Sequence, residues 1–251
     1  MISDVEIAEW LSVAKEAALI AGTYLLNPDQ SNRNINLNTR RDIKIAADVG
    51  SESIILNYLE KKSDFSILSE ESGTVERCDR GFTWIVDPLD GSLNYSRGIA
   101  LCCVSVGLWQ GRRPILGAVY DFYHSELYTG IIGKGAWLNG RKIEVGSVDK
   151  KESAVLCTGF PVNTDFSPES LMSFVQKVRE YKKIRLLGSA ALSLVYVASG
   201  RTDVYIENDI MIWDIAGGLA IAGGSGCMCD IKNGTKPNSL NVTVSNGNII
   251  I

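Results

Sequence analysis

An apolar run ending in two carboxylates, Trp84-Ile-Val-Asp87-Pro-Leu-Asp90-Gly91-Ser92, constrains this 251-residue chain more than any other stretch. Trp, Ile and Val favour a buried strand. Pro88 fixes φ and lacks an N–H, so the strand is expected to stop there. A turn past the proline then points Asp87 and Asp90 into one site and leaves the Leu89 carbonyl free as a further oxygen ligand. Gly91 permits close backbone approach. The N–H groups of Gly91 and Ser92 would open a helix whose N-terminus suits phosphate. Taken alone, the segment could equally be a Pro-containing turn with an N-cap Asp.

Two more acidic clusters end apolar runs: Ser69-Glu70-Glu71-Ser72-Gly73 and Ile212-Trp213-Asp214-Ile-Ala-Gly217-Gly218. Carboxylates just past buried strands are partly desolvated and repel one another unless a cation sits among them. Glu70, Asp87, Asp90 and Asp214 are therefore read together as metal ligands. Oxygen donors without His or Cys suit Mg2+ or Mn2+ rather than zinc. Two such ions would polarise a phosphoryl group, acidify an attacking water and stabilise the leaving oxygen. The single histidine, His124, lies in an expected hairpin bend with no companion motif for a Ser-His-Asp or Cys-His mechanism. Cys227-Met-Cys229 lacks the second ligand pair a zinc site needs.

Composition narrows the class. Twenty-five basic against 29 acidic side chains give a net charge of −4, which argues against electrostatic nucleic-acid binding. No apolar run approaches the roughly 18 residues of a membrane span. Met1 to Trp10 carries Asp4, Glu6 and Glu9 but no basic residue, unlike a signal peptide. Cys78, Cys102, Cys103, Cys157, Cys227 and Cys229 are then expected as small buried hydrophobes in a reducing cytoplasm.

Periodicity predicts a helix over 4–26, opened by a Ser3/Glu6 capping box, with Ile7, Leu11, Ala14, Ala18, Ala21 and Leu25 on one face. A loop is expected over 27–38, around Pro28. A second helix is expected from near Asp48 to Lys62, and strands over 66–69 and 82–86. From Cys102 to Ile132 the period becomes two, which predicts an antiparallel meander. Asn139-Gly140 signals a hairpin turn. After about residue 150 strands and helices alternate: strands near 154–157, 184–187 and 203–206, helices near 167–180, 190–198 and 214–222, then strands to the C-terminus. One domain over 1–251 is expected, with an antiparallel α+β sub-region about 1–148 and an alternating α/β sub-region about 149–251.

Glu70-Glu71, Asp87-Pro-Leu-Asp90-Gly91-Ser92-Leu-Asn94-Tyr95, Gly188-Ser189-Ala190-Ala191 and Trp213-Asp214-Ile-Ala-Gly217-Gly218 resemble, in order and spacing, the signature motifs of the inositol monophosphatase family. The resemblance implies an α/β (α+β) fold, a layered α-β-α-β-α sandwich of the inositol monophosphatase and fructose-1,6-bisphosphatase type. It also implies two or three Mg2+ ions, hydrolysis of a small phosphomonoester by a metal-activated water, and a homodimer. Glu70, Asp87 and the Leu89 carbonyl match the ligands of a first ion, and Asp87, Asp90 and Asp214 surround a second. Glu70 also matches the partner of a third.

The catalytic set implied is Glu70, Asp48 and Ser92. Asp48 would pair with the motif hydroxyl to orient the water, although alone it could simply cap a helix. That hydroxyl is usually threonine; here Ser92 keeps the oxygen and loses the methyl that restricts its rotamer. Gly91, Ser92, Gly188, Ser189 and Ala190 match substrate-facing positions, with Ser189 also a plausible plain helix cap. Glu207 matches a position that hydrogen-bonds a polyol or sugar ring, the alternative being an exposed strand-end charge. The family's loop that brings a lysine near the metals falls around Arg40 and Arg41. Arg185 could lie near the Gly188 turn or be a surface charge.

Leu93-Asn94-Tyr95 is closer to the inositol and sugar-phosphate groups of the family than to its nucleotide group, and Glu207 would repel a second phosphate. The expected substrate is thus an inositol monophosphate or sugar phosphate. Histidinol phosphate and 3′-phosphoadenosine 5′-phosphate are the alternatives. A phospho-aspartyl mechanism of the haloacid dehalogenase type needs two aspartates separated by one residue, whereas Pro88 and Leu89 both intervene here. A regulatory or binding protein retaining the phosphatase fold is the reading from another class.

Overall fold

Ser3 starts the first helix as expected. Its hydroxyl accepts the Glu6 N–H at 3.2 Å while the Glu6 carboxylate accepts the Ser3 N–H at 2.9 Å. Helix α1 (Asp4–Leu26) then buries Leu25 and four alanines, Ala14, Ala17, Ala18 and Ala21, whose small side chains let it lie close on a sheet. The structure, a computed structural model, describes residues 2–26, 35–38, 43–77, 81–161 and 164–251. Arg40, Arg41, Cys78 and most of the expected 27–38 loop lie outside these residues. The end of that stretch is a strand, β1 (Ile35–Asn38), paired antiparallel with β2 (Ile43–Ile45).

Helix α2 (Ala46–Lys62) follows and leads into β3 (Ser66–Ser69), β4 (Gly73–Val75) and β5 (Phe82–Asp90). A short helix, α3 (Ser92–Ser96), precedes the expected meander of β6 (Cys103–Gln110), β7 (Arg113–Asp121) and β8 (Glu126–Ile131). His124 occupies the β7–β8 bend, with Nδ1 2.8 Å from the buried Asp121 carboxylate. Asn139-Gly140 turns β9 (Gly135–Leu138) into β10 (Arg141–Lys142). These strands form one sheet in the order β10-β9-β8-β7-β6-β5-β3-β4, with only the β3–β5 pair parallel. Both faces of β5 are buried, so its sequence reads as an unbroken apolar run.

The expected stop at Pro88 does not occur. Strand β5 continues to Asp90 by shifting register against β6: Asp87 faces Ser105, but Asp90 faces Cys103. Three steps on one strand match two on the other, which is a β-bulge. A bulge leaves one residue unpaired, so a proline without an N–H sacrifices nothing there.

The second half comprises β11 (Val155–Thr158), α4 (Pro168–Val178), β12 (Lys183–Arg185), α5 (Ala190–Ala198), β13 (Val204–Met211), α6 (Ile212–Ser225), β14 (Met228–Asn233) and β15 (Ser239–Ser245). The strands order as β12-β11-β13-β15-β14, parallel across β12, β11 and β13 and antiparallel beyond. The expected strand at 184–187 ends earlier, and that at 203–206 runs five residues further, past a register shift between Glu207 and Ile210. Helices α1 and α2 cover one face of the large sheet, α5 and α6 fill the space between the sheets, and α4 lies outside the small sheet. This is the layered α-β-α-β-α sandwich. Along β13, Val204 and Ile206 face one core and Tyr205 the other. Among the described residues, no helix is long and apolar enough to cross a membrane.

Helix α6 sits in a trough of glycines. Gly107, Gly117 and Gly130 lie opposite one another on β6, β7 and β8. A Cβ at Gly117 would stand 2.3 Å from the Gly217 carbonyl oxygen, and one at Gly130 2.5 Å from the Ile221 Cα. Trp109 Nε1 donates to the Ala216 carbonyl at 3.2 Å and holds the helix lengthwise. The thiols of Cys102, Cys103 and Cys157 are buried and Cys227 is half-buried against the second core, but Cys229 is exposed and departs from the expectation.

Candidate active site

Strand register brings the carboxylates together. Ser69 of β3 lies beside Val86 of β5 in a parallel pair, so the next residues, Glu70 and Asp87, emerge side by side. Asp214 is the third residue of α6, whose start the glycine trough aims at the same point. Glu70, Asp87 and Asp214 each present an oxygen within 4.8 Å of the other two. Among the described residues, this is the one group of three or more His, Cys, Asp or Glu side chains that could converge on an ion. Burial, then the charge of Glu70, pushes the Asp87 and Asp214 carboxyls well above the usual carboxylate range. Such a cluster holds protons or a cation at neutral pH, and oxygen-only donors suit a hard divalent ion. The donor set therefore fits Mg2+.

Asp90 is not among the three converging oxygens. Its Oδ2 is turned to the N-terminus of α5, where it accepts the Ser189 hydroxyl at 2.5 Å and the Ala191 N–H at 2.7 Å. The Cys103 thiol lies 3.8 Å from the same oxygen. Burial raises Asp90 to about 6, and the bonds from Ser189 and the α5 backbone oppose a larger rise. It stays close enough for its charge to raise both Asp87 and Asp214. Ser189 is the N-cap of α5, accepting from the Leu192 N–H at 3.2 Å. This serine thus caps α5 and bonds Asp90 at once.

Asp48 likewise serves two ends. As the third residue of α2 it accepts the Ile45 N–H at 2.7 Å, and its other oxygen accepts the Ser92 hydroxyl at 2.9 Å. Ser92 Oγ also lies 3.0 Å from the Leu89 carbonyl oxygen, and its single proton serves one acceptor at a time. The Leu89 N–H donates to Asp87 Oδ1 at 2.9 Å, and the Ser51 hydroxyl to the Pro88 carbonyl at 2.7 Å, so the bulge is tied at both ends. Gly91 (φ 95°) and Gly188 (φ 72°) adopt left-handed conformations that favour glycine. They also meet: a Cβ on Gly91 would lie 2.8 Å from the Leu101 oxygen and 3.2 Å from that of Gly188. Ala190 follows at the first turn of α5.

Glu207 is not an exposed strand-end charge. It is 8% exposed, lies within β13, and accepts the Tyr205 hydroxyl at 2.9 Å. Burial raises it to about 7, the Tyr205 bond notwithstanding. Gly159 packs on it so closely that a Cβ would stand 2.7 Å from its Oε1. Glu207 also lines a cavity of about 390 Å³ bounded by Thr158, Phe160, Ile206 and Phe174. Arg185 is exposed and donates to the Ile184 carbonyl, as a surface residue does. Sequence reasoning passed over Ser51, Glu52, Cys103 and Tyr205. The first two carry a signal, since they follow Asp48 by three and four residues and so share its helix face.

Residues 6–251 match the model of the inositol monophosphatase family. The chain belongs to that family. A protein named Nus factor SuhB from Pasteurella multocida is 34% identical over 229 residues, covering 89% of this chain and 86% of its own. An inositol-1-monophosphatase from Synechocystis is also 34% identical, over 90% of this chain and 80% of its own. The solved inositol monophosphatase from Anabaena superposes with a TM-score of 0.83 at 32% identity, over 95% of this chain and 91% of its own. The chain is accordingly a phosphatase of the inositol monophosphatase family that acts on a small phosphorylated substrate, with the fold of that family.

Proposed function

We propose that this phosphatase depends on Mg2+ and hydrolyses an inositol monophosphate or a sugar phosphate. The observation that carries the reading is the convergence of Glu70, Asp87 and Asp214 within 4.8 Å. In this reading Glu70, Asp87 and the Leu89 carbonyl hold one ion, Asp87, Asp90 and Asp214 a second, and Glu70 a loosely held third. Bound there, Mg2+ supplies charge to the phosphoryl oxygens and acidity to water.

Ser92 and Asp48 orient the nucleophilic water. By donating to Asp48, the Ser92 hydroxyl leaves its lone pairs to accept from that water. The N–H groups of Gly91 and Ser92 and the Gly188-Ser189-Ala190 turn face the phosphate and the ring. Glu207, poised near neutrality, exchanges hydrogen bonds with ring hydroxyls. The whole chain, 1–251, works as one domain, since Asp90 and Ser189 come from its two sub-regions. Unbridged buried thiols at Cys102, Cys103 and Cys157 support a cytoplasmic location.

The test is phosphate release from inositol-1-phosphate, several sugar phosphates, histidinol phosphate and 3′-phosphoadenosine 5′-phosphate, with Mg2+ or EDTA, beside Asp87→Asn. Activity on the polyol and sugar esters that needs Mg2+ and vanishes in the variant is expected. Activity indifferent to EDTA would overturn the metal assignment, and preference for the adenosine bisphosphate the substrate assignment.

A homodimer belongs to the same proposal. Leu93, Ile99 and Leu186 are exposed on segments that Asn94 ties together through the Leu101 and Leu187 carbonyls. Light scattering should give twice the chain mass, and a monomer for Leu186→Glu. A second reading, a role as a protein factor besides catalysis, is supported by the name of the Pasteurella relative. It requires a partner protein still retained by Asp87→Asn in co-purification.

A further inference from the structure

Three side chains on one face of α2 each grip a different part of the site. Asp48 and Ser51 hold Ser92 and the Pro88 carbonyl. Glu52 holds the turn that carries Glu70: its Oε1 accepts the N–H groups of Glu71 at 3.1 Å and Ser72 at 3.0 Å, and its Oε2 accepts the Ser72 hydroxyl at 2.5 Å. Glu52 is 4% exposed. A carboxyl group is costly to bury unless its hydrogen bonds are met, and this one meets three within a single turn. The Glu71 N–H belongs to the peptide unit that leaves Glu70, so fixing it fixes Glu70 ψ. On the other side the β3–β5 register fixes Ser69.

We propose that Glu52 is a positioning residue for the metal site, clamping the 70–72 turn so that the Glu70 carboxylate stays with Asp87 and Asp214. The inference rests on the reading above that this cluster binds a divalent cation. Glu52 needs no contact with the ion, since groups that orient a ligand commonly govern affinity about 10- to 100-fold. What it contributes is reach and hydrogen bonding, not charge. Glutamine keeps the reach: its Oε1 accepts both N–H groups and its amide donates to Ser72 Oγ. Aspartate keeps the charge but is one methylene short.

The experiment measures Mn2+ binding to the substrate-free protein by electron paramagnetic resonance of the free ion, for the unaltered chain, Glu52→Asp, Glu52→Gln and Ile55→Ala. Ile55 is a buried apolar residue on the same helix, so its truncation reports destabilisation without loosening the turn. Glu52→Asp should weaken Mn2+ binding about tenfold or more, with Glu52→Gln and Ile55→Ala both near the unaltered value. Steady-state kinetics should show the same order in the Mg2+ concentration for half-maximal rate, with kcat at saturating Mg2+ largely recovered. Binding that Glu52→Gln loses and Glu52→Asp keeps would overturn the proposal in favour of a charge effect. Equal losses in Ile55→Ala would reduce Glu52 to a structural role. No Mn2+ binding by the unaltered chain would overturn the metal reading and this inference together.

Discussion

Ser92 stands where the family resemblance leads one to expect threonine, and its surroundings keep a use for the hydroxyl. Its hydroxyl keeps the 2.9 Å bond to Asp48 without the methyl that would hold the rotamer. Ser92→Ala should lower kcat about 100-fold, the lower end of what a positioned proton acceptor contributes, while KM moves little. Ser92→Thr should equal or exceed the natural rate; steady-state kinetics of the pair decide, and an alanine variant near full rate removes the assigned role. Glu207 makes a separate prediction about pH. Its carboxyl stands at about 7 against an ordinary 4.5, so the folded chain binds this proton more tightly than the unfolded one. The stability it contributes is present below about 4.5 and lost as pH rises through 7. A shift of that size corresponds to at most about 3–4 kcal/mol. Urea unfolding of EDTA-treated protein should show Glu207→Gln losing less stability between pH 5 and pH 8 than the unaltered chain does. Equal losses would mean the proton is not held there. The motif carboxylates were visible in the sequence because two acidic pairs and Asp214 end three apolar runs. Glu207 could be named but not buried, since its burial comes from Gly159 and Tyr205 across and along the small sheet.

The helices were legible where one face alone is apolar, as in α1, and where a cap announces the start, as at Ser3 and Ser167. Pro88 misled because a proline says only that an N–H is missing. Whether the strand ends or bulges is decided by the partner strand, which single-sequence periodicity does not identify. The glycine trough under α6 was invisible for the same reason: Gly107, Gly117 and Gly130 are far apart in sequence and become a row only through register. At Gly117 a methyl group would have to displace helix backbone, which has nowhere to go. Gly117→Ala should therefore cost about 1–3 kcal/mol of stability and, by lifting α6 and Asp214 with it, raise the Mg2+ concentration needed for half-maximal rate. Denaturant unfolding and a Mg2+ titration of activity check the two halves of this prediction. A variant as stable as the parent would show that the helix can retreat.

For the molecule as a whole, the layered order could be expected from an antiparallel half followed by an alternating half and from the family resemblance. The contact between those halves at the site could not, because there it is made by Asp90, Gly91, Gly188 and Ser189, which are nearly a hundred residues apart. The metal site proposed above therefore draws on both halves of the chain. At pH 7.5, Mg2+ at a hundred times its dissociation constant should stabilise the protein by roughly 2.7 kcal/mol, seen as one melting transition moving upward in calorimetry. Two transitions, with only one responding to Mg2+, would mean that the halves unfold independently. The bond between Asp90 and the start of α5 has a longer reach than its 2.5 Å suggests. The carboxylate assigned to the chemistry also pins the large sheet to the start of α5, so the joint and the proposed reaction share one side chain. Damage to the joint and damage to the reaction are the same event, and a chain that has slackened at its middle will be found out first by its substrate.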